Sequence, residues 1–264
     1  MTQKNGHDDV KIEIKDLNKS FGPKKVLNGV NLQIKKGESH VIIGGSGTGK
    51  SVLLKCVLGL IQADRGKIIV DNQDIVKIIG SSEHDKILER FGMLFQGGAL
   101  FDSLPVWKNV SFQLIQMGSV TEKQAKELAI EKLQLVGMAP ESAFLMPAEL
   151  SGGMQKRVGL ARAIAFNPDV IFFDEPTTGL DPIMSDVIDN LIVKCVKSLG
   201  ATAISITHDM KSAYKIADRI SMIYGGKIIW TGTPAEIQKS GNEYVDQFIH
   251  GRAEGPITSG LLRA

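Results

Sequence analysis

An α/β fold organised around a phosphate loop is predicted by three stretches that follow one another along the 264-residue chain. The apolar run Val41-Ile42-Ile43 leads into Gly44-Gly45-Ser46-Gly47-Thr48-Gly49-Lys50-Ser51, which fits Gly-x4-Gly-Lys-Ser without a mismatch. Leu150-Ser151-Gly152-Gly153-Met154-Gln155-Lys156-Arg157 stands further along, and Val170-Ile171-Phe172-Phe173 then ends in the carboxylates Asp174 and Glu175. Strands buried on both faces read as continuous apolar runs, and the C-terminal edge of their sheet is where such folds bind ligands.

Taken in order, Lys11 to Leu17 and Val26 to Ile34 alternate in polarity and predict a half-exposed antiparallel sheet. The strand before the phosphate loop opens the α/β core, and Val52 to Leu60 is the helix after it. A strand is expected from Phe91 to Phe95. Between Gln96 and Leu150 the pattern is helical, with helices over Trp107 to Met117 and Thr121 to Val136, the latter started by the capping box Thr121-x-x-Gln124. Ser151 caps a helix running to about Ala165. After the Asp-Glu strand come a helix from Asp181 to Leu199, a strand ending at Thr207 and a helix near Met210 to Ala217. Gly225-Gly226 joins Arg219 to Tyr224 and Lys227 to Thr231 as a hairpin, and Thr233-Pro234-Ala235-Glu236 opens a further helix. From Asn242 the pattern weakens, and Glu254 to Ala264 reads as a tail.

The chemistry follows from residue types. In the loop, glycines at Gly44, Gly45, Gly47 and Gly49 let backbone N–H groups turn inward on a phosphate, with Ser46 and Thr48 between them. Lys50 supplies a point charge to the β- and γ-phosphates, Ser51 a hydroxyl to Mg2+, and the helix they open presents its positive end. Asp174 holds Mg2+ directly or through its water shell, while Glu175, projecting differently, orients the attacking water or takes its proton. Ser151, Gly152 and Gly153 bare the backbone at the start of a second helix, which makes a second anion site by the same logic.

Composition sets limits. Hydrophobic content of 43% and a net charge of +2 describe a globular chain with no reason to engage nucleic acid. Met1 to Asp9 is polar, without the apolar core of a secretory signal, and no apolar run approaches the length of a membrane span. Cys56 and Cys195 lie among Val and Leu without metal-site spacing, and read as reduced core thiols ahead of a disulfide.

From about Val10 to Phe248 the chain resembles the nucleotide-binding subunits of ABC transporters. The resemblance implies a P-loop NTPase domain with a RecA-like core, an antiparallel β subdomain and a helical signature subdomain. It sets a single ATPase domain over 10–250, with the helical part at about 97–165, a flexible N-terminal tail over 1–9 and a C-terminal tail over 251–264. It assigns Phe21 to stacking on adenine, Gln96 to Mg2+ and the water, Asp181 to the dimer interface and His208 to the γ-phosphate. With one copy of each motif, Ser151 and Gly153 complete the nucleotide site of a second, identical copy. Phe95-Gln96-Gly97-Gly98-Ala99-Leu100-Phe101-Asp102-Ser103-Leu104, Met154 in place of the common Gln, and Phe248-Ile249-His250-Gly251 are similar to ATPases of MCE-type lipid transporters. That likeness implies ATP and Mg2+, a permease of the MlaE type, a periplasmic MCE-domain protein and phospholipid as cargo, at the cytoplasmic face of a bacterial inner membrane. In some such systems a small STAS-domain protein also binds the ATPase. The same motifs fit an importer ATPase for a small polar solute, or a regulatory or mechanical ATPase of the cell-division type. A DNA-repair relative is opposed by the 100 positions between Lys50 and Ser151, too few for a long coiled-coil arm.

Overall fold

The computed structural model describes residues 9–261. Along them run β1 Val10–Phe21, β2 Lys24–Lys35, β3 Ser39–Ile43, α1 Lys50–Val57, β4 Arg65–Val70, β5 Gln73–Asp74, α2 Ser82–Leu88 and β6 Phe91–Leu94. Then come α3 Val106–Val110, α4 Phe112–Gln116, α5 Glu122–Leu135, α6 Gly152–Ala163, β7 Val170–Asp174, α7 Pro182–Leu199, β8 Thr202–Thr207 and α8 Met210–Ile216. The hairpin of β9 Arg219–Tyr224 and β10 Lys227–Gly232 is followed by α9 Glu243–His250 and α10 Pro256–Leu261. Two compact units result, one holding the chain up to His84 and again from Ile206, the other Asp85–Ser205.

In the first unit a four-stranded sheet has the order β2-β1-β4-β5, with β1 antiparallel to both β2 and β4. Ile12 and Ile14 are buried as alternation predicts, Leu17 is buried beyond a register shift at which Asp16 takes φ 46°, and Lys11 and Glu13 are buried as well. Lys11 Nζ reaches Asp71 Oδ2 at 2.8 Å, and Gln33 Nε2 donates to Glu13 Oε1 at 2.7 Å, so both polar side chains are compensated. Strand β3, buried at every position, lies parallel to β9 with Ile42 opposite Ser221. Gly225 and Gly226, at φ 55° and 74°, close β9 onto β10 as the two-residue hairpin predicted.

In the second unit β6 and β7 pair in parallel, Leu94 opposite Phe173. The rings of Phe91 and Phe172 meet edge to face at 5.1 Å. Helices α3, α5 and α6 pack on one another. Thr121 caps α5 with the reciprocal bonds of a capping box to Gln124, as the sequence predicts.

Three segments depart from the sequence reading. The single helix expected over Trp107 to Met117 is broken at Ser111, whose hydroxyl donates to Trp107 O at 2.7 Å and whose backbone leaves helical geometry. The helix start at Thr233 closes only a local turn, Thr233 N donating to Glu236 Oε2 at 2.7 Å, before a short 3-10 segment and Gly241 end it. The C-terminal segment read as a tail contains α10, anchored by the buried Gln247 of α9. Gln247 Oε1 accepts Ile257 N at 2.8 Å and its Nε2 donates to Arg252 O at 3.1 Å. The N-terminal tail falls outside the described residues apart from Asp9.

A polar chain, buried at Glu38, His40 and Ser221 and ending at the exposed Thr231, links β3 to β9 and β10. His40, fully buried, has Nδ1 2.6 Å from Glu38 Oε1 and Nε2 2.8 Å from Ser221 Oγ, which in turn lies 2.7 Å from Thr231 Oγ1. Burial alone would raise the Glu38 carboxyl's pKa, but the hydrogen bond and charge of His40, with Lys35 N–H, carry it below its ordinary value. A depressed carboxylate stabilises the fold above its unfolded pKa of about 4.3, and that contribution disappears as pH falls through the folded value. Glu38→Gln is therefore expected to lower stability at neutral pH and to flatten its decline below about pH 4.3. Denaturant unfolding across that range checks this, and parallel pH slopes for the two proteins would contradict it.

Candidate nucleotide site

In the first unit, β3 delivers the chain directly into the phosphate loop. A Cβ on Gly44, at φ 154°, would stand 2.6 Å from Ile223 O, and one on Gly49, at φ 104°, would stand 2.9 Å from Val26 O. The loop backbone is thus seated against β9 and β2 at two points where only glycine fits. Thr48 Oγ1 donates to Gly45 O at 2.8 Å, closing the loop on itself. Lys50, 7% exposed, directs Nζ to Gly44 O at 2.7 Å and Gly45 O at 3.0 Å, so its charge is held at the loop and not in solvent. α1 starts at Lys50 with no side-chain cap from Gly49. Its first N–H groups therefore have no intrahelical partner, which is the condition for anion binding at a helix start. Ser51 is exposed on the first turn.

Phe21 ends β1 and is 49% exposed. Lys19 Nζ stands 5.4 Å from its ring centroid and is itself fixed by Asp64 Oδ1 at 2.9 Å. The other oxygen of Asp64 accepts Ser20 N at 2.6 Å. The Lys19 hydrogen bond, then the Ser20 N–H, hold this exposed carboxyl below its ordinary pKa. An electron-rich ring with a cation near it and half its surface open is suited to stacking on a base. His208 is exposed just after β8, whose six residues are all buried. Asp209 N donates to Thr207 Oγ1 at 3.0 Å and Asp209 Oδ1 accepts Lys211 N at 2.8 Å, which fixes the turn that carries His208.

The second unit holds the remaining predicted residues. Gln96 is exposed two residues beyond β6. Asp174 is the last residue of β7, and Glu175 follows with φ 48°, a left-handed backbone uncommon for a residue with a side chain. Glu175 Oε2 accepts Thr178 Oγ1 at 3.1 Å, and Glu175 O accepts Thr178 N at 3.3 Å. Lys156, 5% exposed on α6, donates to the backbone carbonyls of Gln96 and, at 3.3 Å, Glu175. Its burial lowers its pKa, while the charges of Asp174 and Glu175 pull in the opposite direction. Arg162, further along α6, donates to Gly98 O at 2.6 Å and Ala99 O at 2.7 Å and lies over the Phe95 ring, so a second cation fastens the loop after Gln96.

Ser151 caps α6, accepting Met154 N at 3.3 Å. A Cβ on Gly153 would meet the flexible end of the Met184 side chain at 2.7 Å. Asp181 caps α7 by accepting Ile183 N at 2.9 Å and Met184 N at 3.0 Å. The second unit therefore ties Gln96 to Glu175 through Lys156, whereas Ser151 and Asp181 stand at the starts of two helices. Sequence reasoning gave Lys156, Arg162, Lys19 and Asp64 no role. Lys156 was at least visible as a cation within the Leu150 to Arg157 stretch.

Comparison with known proteins bears on the whole assembly of motifs. Residues 27–178 match the family described as ABC transporter. The chain is 40% identical over 246 residues, 93% of its length and 92% of the relative's, to the intermembrane phospholipid transport system ATP-binding protein MlaF of Haemophilus influenzae. It is 39% identical over 248 residues, 94% of its length and 71% of the relative's, to the probable ribonucleotide transport ATP-binding protein mkl of Mycobacterium leprae. Among solved structures, the ATP-binding cassette MJ0796 in a dimeric post-hydrolysis state bound to ADP and Pi superposes with a TM-score of 0.77 at 31% identity, covering 84% of this chain and 98% of that one. Matched by the family over more than half its length, this chain belongs to the ABC transporter family, as an ATP-binding and ATP-hydrolysing cassette with that family's α/β fold.

Proposed function

We propose that the chain powers a membrane transporter that moves phospholipid between the inner and outer membranes of a bacterium. The observation that carries this is the 40% identity to the phospholipid-transport ATPase across nearly the full length of both chains. In this reading two copies work at the cytoplasmic face of the inner membrane beneath an MlaE-like permease, with a periplasmic MCE-domain protein and, in some systems, a STAS-domain protein. Among the described residues no helix is long and apolar enough to cross a membrane, so attachment by docking on the permease is consistent with the chain.

The residues divide the work. Gly44 to Ser51 hold the triphosphate, Lys50 neutralising the β- and γ-phosphates, and Phe21 stacks on adenine. Ser51, Gln96 and Asp174 offer hydroxyl, amide and carboxylate oxygens, the hard donors that suit Mg2+. Bound there, Mg2+ would offset charge on the phosphates. Glu175 takes a proton from the attacking water as its oxygen bonds to the γ-phosphorus and the bond to the ADP oxygen breaks. His208 steadies the γ-phosphate. Ser151, Gly152 and Gly153 of one copy reach the γ-phosphate held by the other, and Asp181 serves the same seam, so ATP joins the pair and hydrolysis releases it.

The similar identity to the probable ribonucleotide transport protein favours a second reading of the cargo alone. Mass spectrometry of the purified membrane complex separates the two: co-purifying phospholipid supports the first, and a lipid-free complex whose ATP turnover rises with ribonucleotide supports the second. Glu175→Gln is expected to lower ATP turnover by about 100- to 10,000-fold while nucleotide binding persists, measured by phosphate release and by titration. Unchanged turnover would remove Glu175 from its role. Mixing a Ser151→Ala chain with a Lys50→Ala chain should restore one intact site per mixed pair. Absence of any rescue, where the subunits demonstrably exchange, would rule out the shared site.

A further inference from the structure

We propose that Lys156 is a positioning residue for hydrolysis: its buried ammonium, bonded to the backbone carbonyls of Gln96 and Glu175, fixes the loop of the water-binding glutamine and the catalytic carboxylate in one geometry. This rests on the ATPase reading above. Three observations meet at one side chain. Lys156 is 5% exposed, and a lysine is almost never so enclosed unless partners compensate it. Its two carbonyl partners belong to two different loops, one following β6 and one following β7, and each loop carries a residue assigned to the water. Glu175 itself sits at φ 48°, a left-handed backbone state that is unfavourable for a residue with a side chain and persists only when neighbours over-determine it.

Thr178 holds the Glu175 carboxylate by its hydroxyl and the Glu175 carbonyl by its N–H, and Lys156 adds a contact to that same carbonyl from another element. Rotating the Glu175 peptide would carry the carboxylate with it, because side-chain direction follows φ and ψ. Removing the ammonium therefore loosens the direction of the proton acceptor without touching any group on the phosphate loop. Since α6 begins at Ser151, the same helix that presents the γ-phosphate contact also carries this brace, five residues on. Engagement of the helix start and the setting of Gln96 and Glu175 are thereby mechanically one event.

Lys156→Met in the full-length chain, assayed as the assembled transporter, tests this. Turnover should fall about 10- to 100-fold, the loss expected from a misplaced reacting group, while KM and Kd for ATP stay within about threefold. In a Glu175→Gln background the same change should produce a clearly smaller fall than in the parent, because one of the two groups it positions, the carboxylate, is already gone. Melting temperature is recorded for each protein, and Lys156→Gln provides the same measurements should the Met variant not fold. Turnover within twofold of the parent, a matching loss of ATP affinity, or additive losses in the double variant would overturn the inference. Those results would leave the ATPase reading standing; a Glu175→Gln chain with parental turnover would remove Glu175 from its role and this inference with it, and only a parent chain that hydrolyses no ATP would remove the ATPase reading as well.

Discussion

A phosphate loop depends first on bringing backbone N–H groups up to the anion. That demands a loop pressed against its neighbours so closely that a Cβ has no room. Gly44 against Ile223 O and Gly49 against Val26 O meet this condition from opposite ends of the loop. The strands carrying those carbonyl neighbourhoods must then be rigid. The fully buried β3, its parallel register with β9, and the Glu38-His40-Ser221-Thr231 chain provide that rigidity in the first unit. Burying a histidine and a glutamate is tolerable only because each satisfies the other, so the polar chain acts as a specific lock where apolar packing alone would allow slippage.

The second unit solves a different problem, that of holding polar loops without a phosphate to organise them. Here the solution is a helix with cations on its inner face. Lys156 and Arg162 each donate to main-chain carbonyls of the segment Gln96 to Ala99, and Lys156 also reaches Glu175. Carbonyl oxygens are acceptors that any sequence supplies, so the loops are fixed by the helix regardless of their own side chains. Asn109 extends the principle downstream, its buried amide accepting Phe101 N at 2.7 Å and donating to Leu104 O at 2.8 Å.

Much of this was legible in the residues. The phosphate loop, the Asp-Glu strand, the Thr121 capping box and the Gly225-Gly226 hairpin all rest on local rules in which a short stretch dictates its own backbone, and each appears where the sequence places it. The misses share a cause. At Ser111 the hydroxyl joins the backbone N–H on Trp107 O and the backbone departs from helical geometry, and the helix Pro256–Leu261 is held by Gln247 from a different helix. Neither fact has a periodic signal. The role of Lys156 was hidden for the same reason: a cation in a motif looks alike whether it faces solvent or backbone carbonyls, and only the fold distinguishes them.

The left-handed backbone at Glu175 connects these threads. A carboxylate placed immediately after a buried strand would ordinarily continue the extended direction and alternate away from its predecessor Asp174. Turning the chain to φ 48° instead makes both acids available at the same strand end. That turn is unfavourable for the residue alone, and its partners Thr178 and Lys156 come from the adjoining turn and from α6. Strain at Glu175 is thus paired with support from the element whose first turn is proposed to read the γ-phosphate. A geometry that is unfavourable by itself and supported from a neighbouring helix depends on that helix staying in place, whereas a relaxed one would hold its position without it.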